Sequence, residues 1–245
     1  MTKIKVGIIS QARMTSTRLP GKVLKKINNK PLLWYHINRL QKSGLPIFVA
    51  TTTNREDDPI VEFCLQNNLN FFRGDEANVL ERFYLCAKEY DLDVIVRVTS
   101  DCPLIDGALI EEGVDRYTSR KNSDLYLSNS LSETYPRGLD YEIFSFKLLE
   151  EAFKNATYSW QKEHVTPYFY NEHKAHISNE FIANKEKKNQ YRITVDTTED
   201  FQLIERLIKE FNAHKKSYSE IIQIMDVNSD LANINRHIEQ KKLKE

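Results

Sequence analysis

The sequence predicts an α/β protein: a three-layer sandwich with a mostly parallel central sheet and helices on both faces. Two observations carry that prediction. Short β-branched runs alternate with helix-periodic segments from residue 4 to about residue 120, the pattern of successive strand–helix units. Several runs, such as DVIVRVT at 93–99, are apolar at almost every position, as strands covered on both faces are.

Taken in order, IKVGIIS (4–10) reads as a buried strand ending in a polar loop. A helix follows over 31–43, with Pro31 in its first turn. PIFVATT (46–52) is the second strand, and DDPIVEFCLQNN (57–68) is a helix with an Asp cap before Pro59. NFFR (70–73) is a short strand. ANVLERFYLCAKEY (77–90) puts Val79, Leu80, Phe83, Cys86 and Ala87 on one helix face. DVIVRVT is the next strand, followed by the loop SDCPLID and a helix near 108–120. The rhythm breaks over about 125–183. LYLSNSLSETYPRGLDYEIFS reads as strand, turn, strand, while KLLEEAFKNA and WQKEHVTPYFY read as helices. This Tyr- and Phe-rich insert is expected to form a small β/α subdomain that covers a substrate, pairs two copies of the chain, or both. Strand is expected again at 176–183 and at YRITV (191–195), then amphipathic helices over 199–211 and 217–228. There is no linker, repeat or low-complexity block, so residues 1–245 are read as one domain.

The chain carries 35 basic and 35 acidic residues, a formal net charge of zero. A broad electrostatic footprint for nucleic acid is thereby excluded, and any phosphate affinity must be local. Cys64, Cys86 and Cys102 form no CxxC pair and no metal-like cluster with the six His, so reduced thiols are expected. The start, MTKIKVGIIS, has no signal-peptide apolar region. No apolar stretch approaches the ~20 residues that a spanning helix needs. A soluble, cytoplasmic protein without a membrane partner is expected, with KKLKE as a solvated tail.

In an open sheet of this kind ligands bind beyond the carboxyl ends of the strands, and three loops of interest lie there. QARMTSTRLPGK (11–22) packs Arg13, Arg18 and Lys22 among Thr15, Ser16 and Thr17, with Gly21. A loop leaving a first strand can aim backbone N–H groups at an anion, and the cations add charge-assisted bonds to phosphate oxygens. It is not a Walker A motif, because GxxxxGK[ST] is absent. SDCPLID (100–106) places Asp101 just past an apolar strand, where an Asp is either a turn residue or a ligand. VDTTED (195–200) places Asp196 on the strand side of a helix cap that accounts for Glu199 and Asp200. Two carboxylates at strand ends facing a phosphate loop are how a protein holds Mg²⁺ on a nucleotide, since Mg²⁺ takes oxygen ligands and accepts one or two carboxylates plus phosphate. YPRGLDYEIFS (135–145) alternates Arg137, Asp140 and Glu142 with apolar residues, and QKEHVTPYFY carries Glu163 and His164. Either could be a solvated face or a wall of the site.

Five blocks, in order, carry a resemblance: QARMTSTRLPGKVL, RGDEANVLERFY, RVTSDCPLID, YPRGLDYEIFS and VDTTEDFQLI. Together they resemble the cytidylyltransferases that activate acidic sugars, which include CMP-Kdo synthetases and acylneuraminate cytidylyltransferases. The branch they are most similar to is that of spore coat polysaccharide biosynthesis protein F. The resemblance implies a Rossmann-like nucleotidyltransferase fold and a Mg²⁺-dependent reaction with CTP as co-substrate. It implies a homodimer and a role in surface polysaccharide or glycan precursor synthesis. By matching position, Arg13, Ser16, Arg18 and Lys22 fall in the triphosphate loop, and Asp101 and Asp196 on the metal. Ala12 and Thr51, within ATTTN, fall near the base, and Arg82 falls within a nucleotide-side block. Arg137, Asp140 and Glu142 fall near the acidic acceptor, where Glu163 and His164 are also placed. Arg13, Lys22, Asp101 and Asp196 are the expected catalytic set. Thr15 and Ser100 stand where Gly is common in the family, Asn78 where Asp is frequent, and Thr198 where Pro is usual. The rival readings are a phosphonate or other non-sugar acceptor, a glycosyltransferase of the same fold, and a binding-only module. The glycosyltransferase would use a DxD motif, of which SDCP has one Asp.

Overall fold

The structure, a computed structural model, describes residues 4–171 and 174–240; the lysine-rich segment at 241–245 lies outside them. Seven strands form one sheet: β1 (Val6–Gln11), β2 (Ile47–Thr52), β3 (Asn70–Gly74), β4 (Val94–Thr99), β5 (Leu125–Ser128), β6 (Glu142–Ser145) and β7 (Ser178–Phe181). Their spatial order is β3-β2-β1-β4-β6-β5-β7. All run parallel except β6, which pairs antiparallel with both neighbours, β4 and β5. The first four carboxyl ends therefore share one edge, and the strands of the 125–183 region extend the same sheet.

Alternation along the strands builds two cores. Ile8, Val49, Val94, Val96 and Val98 face one core, with the helices α1 (Leu32–Leu40), α2 (Asp58–Gln66), α4 (Gly107–Ser119), α8 (Thr198–Phe211) and α9 (Tyr218–Val227). Ile9, Phe48, Ala50 and Ile95 face the other, under α3 (Val79–Glu89), α5 (Phe146–Asn155) and α7 (Pro167–Tyr170). Helices on both faces make the three layers of the predicted sandwich.

Two expectations need correction. WQKEHVTPYFY is not one helix: α6 (Ser159–His164) stops at Val165, whose φ is 70°, and α7 restarts at Pro167. Pro167 has no N–H with which to continue the ladder of α6 and instead takes the first position of α7, where that N–H is not needed. YRITV is not a full strand either, since Arg192 makes a single isolated bridge with Arg137. Its strand-like pattern comes from burial, with Ile193 and Val195 in the first core.

Candidate active site

The site starts at the carboxyl end of β1. There the chain turns back on itself, with Gly21 N–H donating to Met14 O at 2.9 Å and Gly21 in a left-handed conformation, φ 67°, that suits glycine. Asp57 fixes the turn from below, accepting from Met14 N–H at 2.7 Å. Lys22 is thereby brought over the ends of β4 and of the 191–195 segment. Its ammonium donates to Asp101 Oδ2 and to Asp196 Oδ1, each at 2.7 Å, so two carboxylates 95 residues apart in the chain converge on one cation.

Asp196 is held from two more directions, by Arg18 Nη2 at 2.9 Å and Arg192 Nη2 at 2.6 Å. Arg192 is itself seated on Asp200, which is fully buried and caps α8 with Thr197. The cap expected in VDTTED therefore forms, and Asp196 is left outside it. Burial pushes the Asp101 carboxyl up, but the Lys22 ammonium, aided by Thr99 and Cys102, more than reverses this and holds it at about 2. Burial disfavours the Lys22 ammonium, yet Asp101 and Asp196 outweigh that and raise its pKa. Asp101 and Lys22 are therefore both charged at neutral pH.

Around this centre lies a cleft of two adjoining lobes, about 710 Å³ and 740 Å³. Arg18, Arg97, Asp101, His164 and Asp196 face both. The first lobe lies toward β1, β2 and β3. Ala12, Arg13, Ser16, Lys22, Arg82 and Glu163 line it; Glu163, expected beside the acceptor residues, does not line the second lobe. Arg82 is buried, its Nη1 donating to Asp75 O at 2.6 Å; burial, with Arg13 nearby, lowers its pKa to about 10. The second lobe lies beyond β4 and is lined by Arg137, Asp140 and Glu142. Arg137 and Asp140 stand 3.7 Å apart. Burial raises the Asp140 carboxyl above its usual range, against the pull of Arg137. Burial lowers the His164 imidazole; Glu163 opposes that and Arg97 adds to it.

One expected residue takes no part in the lining. Thr51 is fully buried inside β2, and Asn54, three residues on, faces the first lobe instead. Asn54 Nδ2 donates to Glu76, which also accepts from Thr15 Oγ1 and Arg13 Nη1. Thr15, at a position where Gly is common, thus closes a polar ring rather than crowding the loop. Ser100, the other such position, is 1% exposed and turned inward. Its hydroxyl pairs with Ser10 Oγ at 2.7 Å, Ser10 with His36 Nε2 at 2.8 Å, and His36 Nδ1 with Cys102 O at 2.8 Å. A carbonyl only accepts, so Nδ1 carries the proton and Nε2 accepts from Ser10. This chain ties β1 and α1 to the Asp101 loop.

Glu76, His36 and Arg97 escaped the sequence reading, while Asn54 entered it only as the last residue of the ATTTN segment near the base. For Arg97 the signal was a single charge inside an otherwise apolar strand. The three thiols are buried and unpaired, with burial pushing Cys64 and Cys86 up to about 12 and Cys102 well above the ordinary range; they are not nucleophiles here. Among the described residues no cluster of three or more His, Cys, Asp and Glu could hold a metal ion. The Asp101–Asp196 pair fits a hard divalent cation that completes its shell with water and phosphate oxygens, and the ammonium already drawn between the two carboxylates shows that the pair attracts positive charge. Among the described residues no helix is long and apolar enough to cross a membrane.

Comparison with known proteins bears on the fold and the family. Residues 6–238 match the family model described as cytidylyltransferase. An uncharacterized protein of Methanocaldococcus jannaschii is 41% identical over 244 residues, 98% of each chain. Spore coat polysaccharide biosynthesis protein SpsF of Bacillus subtilis (strain 168) is 32% identical over 234 residues, 91% of this chain and 95% of that one. The solved structure of a cytidylyltransferase from Leptospira borgpetersenii serovar Hardjo-bovis superposes with a TM-score of 0.90 at 32% identity, over 98% of this chain and 100% of that one.

Proposed function

The chain belongs to the cytidylyltransferase family, and from that premise we propose that it transfers CMP from CTP to an acidic sugar of the octulosonic or nonulosonic type, releasing pyrophosphate, in the synthesis of a surface polysaccharide or glycan precursor. The observation that carries this reading is the convergence of Asp101 and Asp196 on Lys22, opposite the Arg13–Arg18 loop, at the mouth of a two-lobed cleft.

The first lobe takes the nucleotide. Arg13, Ser16, Arg18 and Lys22 bind the triphosphate, and Ala12 and Asn54 stand toward the base. Asp101 and Asp196 would hold Mg²⁺, which when bound supplies Lewis-acid polarisation of the phosphate under attack. The acceptor lies in the second lobe with one oxygen aimed at the α-phosphorus. A new O–Pα bond forms, the bond from Pα to the bridging oxygen breaks, and pyrophosphate leaves. Little covalent chemistry falls to the protein; positioning and charge neutralisation dominate. Arg13, Arg18 and Lys22 neutralise the charge that builds on pyrophosphate, and removing one such contact costs on the order of 10²-fold in rate. The proton of the attacking hydroxyl passes to His164, which burial keeps neutral at pH 7 and which faces both lobes.

A pyrophosphate-release screen tests the reading: the four ribonucleoside triphosphates against a panel of acidic sugars and phosphonates, with Mg²⁺. Release with CTP and an acidic sugar is expected. Release of a nucleoside diphosphate from a nucleotide sugar instead would favour the glycosyltransferase.

A further inference from the structure

Arg97 stands where the two lobes meet, and its surroundings set it apart from the other cations of the site. It lies on β4 directly opposite Glu142 of β6, in the antiparallel register. Both side chains project to the face that α3 covers, where the Arg97 guanidinium rides over the Phe83 ring at 5.7 Å. Glu142 is 7% exposed and accepts from three donors: Arg97 Nη1, Tyr126 Oη at 2.5 Å and Thr166 Oγ1 at 2.6 Å. Its carboxylate is committed to the protein. Thr166 lies between α6 and α7, so the same carboxylate also ties the cover of the cleft to its floor.

The other edge of the guanidinium is unspent. Nε is buried without a hydrogen-bond partner, and Nη2 has one long contact, 3.4 Å to Gln11 Oε1. These two N–H groups form the side-on fork that matches a carboxylate or phosphonate in a bidentate pair. A buried donor without a partner is destabilising; Arg82 Nε, on the nucleotide side, is in the same state, and of the two arginines it is Arg97 that also lines the second lobe, where an incoming acid reaches the fork as the guanidinium adjusts. Arg18, the other arginine facing both lobes, is already committed to Asp196. Arg13, Lys22 and the base-side residues lie toward β1 and β2, which leaves the region beyond β4 for the second substrate.

We propose that Arg97, clamped by Glu142, is the residue that reads the acidic group of the acceptor and so selects acidic acceptors over neutral ones. The proposal rests on the reading of the cleft as a nucleotidyl-transfer site. Gln11 is the group that yields when the acid arrives, and Arg137, half-neutralised by Asp140, has a secondary part.

The test compares wild type with Arg97→Met, Arg97→Lys and the charge-balanced double variant Arg97→Met/Glu142→Gln, which keeps the result readable if an unpaired Glu142 prevents folding. The probes are 3-deoxy-manno-octulosonate, N-acetylneuraminate, 2-aminoethylphosphonate and the methyl esters of the two sugar acids. CTP binding is followed by calorimetry and turnover by pyrophosphate release. Wild type is expected to take at least one acid and to discriminate against its ester. Loss of the fork is expected to raise KM for that acid about 10²-fold, to erase the acid–ester preference and to weaken CTP binding far less than that, with Arg97→Lys in between. An Arg97→Met chain that retains the acid preference, or a wild type that takes none of the acids, overturns the assignment. Failure of wild type to bind CTP would overturn the underlying nucleotide reading instead.

Discussion

His36 gives the account its most quantitative consequence. It is fully buried between Ser10 and the Cys102 carbonyl. Burial lowers its pKa from the ordinary 6.5 to about 4, against smaller opposing pulls from the Cys102 carbonyl and Asp101. The imidazole is therefore neutral in the folded chain while the unfolded chain takes up a proton as pH falls below 6.5. A depressed folded pKa gives stability that is whole above the unfolded value and is lost as pH falls toward the folded value. With these two pKa values, linkage predicts a loss of about 2 kcal/mol between pH 7 and about pH 5. Because the same histidine ties β1 to the loop of Asp101, that loss is felt at the site as well as in global stability. Urea unfolding of wild type and His36→Gln at both pH values isolates the effect, since the contributions of His164 and His214 are common to both chains. The variant should be less stable than wild type at pH 7, and the gap should narrow by about 2 kcal/mol at about pH 5. An unchanged gap would show that His36 is not held neutral by burial and would refute the network as drawn.

Three further outcomes follow from the packing around the site. Asp200 accepts from Arg192 Nε, Arg192 Nη2, Asn235 Nδ2 and the backbone N–H groups of Asp196 and Thr197, so Asp200→Asn should cost about 3 kcal/mol in urea unfolding, with Arg192 left to Asp196 as its one carboxylate partner. Gly138 has φ 105°, and a Cβ there would lie 2.7 Å from Ile193 C and Thr194 N; Gly138→Ala should destabilise by at least about 2 kcal/mol, read as a lowered thermal midpoint, and should loosen the Arg137 loop. Lys22→Met removes the ammonium that sits between the two aspartates, so Mn²⁺ binding to the nucleotide-free protein should tighten, by electron paramagnetic resonance, while CTP-dependent turnover falls on the order of 10²-fold.

How much of this was legible beforehand depends on whether a residue's role is local. β1 to β4 and their helices were readable because each buries its own apolar pattern, and the sandwich followed from their alternation. Asp101 was readable as a carboxylate just past a strand end and Asp196 as one just past the extended 191–195 segment, and the cap formed by Thr197 and Asp200 was readable as a capping box. YRITV misled because period-two burial also arises in an extended segment that pairs at one residue only. The break at Val165 depends on a positive φ that a β-branched residue gives no hint of, although Pro167 marked a boundary. Glu142 was legible as a charged residue near the second substrate, but its three donors come from β4, β5 and the α6–α7 turn. His36 left no signal and Arg97 only a lone charge in an apolar strand, because their meaning lies in the contact with Ser10 and Cys102 and in the register with Glu142, which the chain does not spell out.

The central claim is that Asp101 and Asp196 act together on one divalent cation that accompanies CTP. Titrating Mn²⁺ into the CTP-bound protein by electron paramagnetic resonance, with pyrophosphate release measured in parallel, tests it for wild type, Asp101→Asn and Asp196→Asn. Each single variant is predicted to lose the CTP-dependent Mn²⁺ site and pyrophosphate release while remaining folded. A chain lacking either carboxylate that still binds Mn²⁺ with CTP and releases pyrophosphate at the wild-type rate would contradict the account.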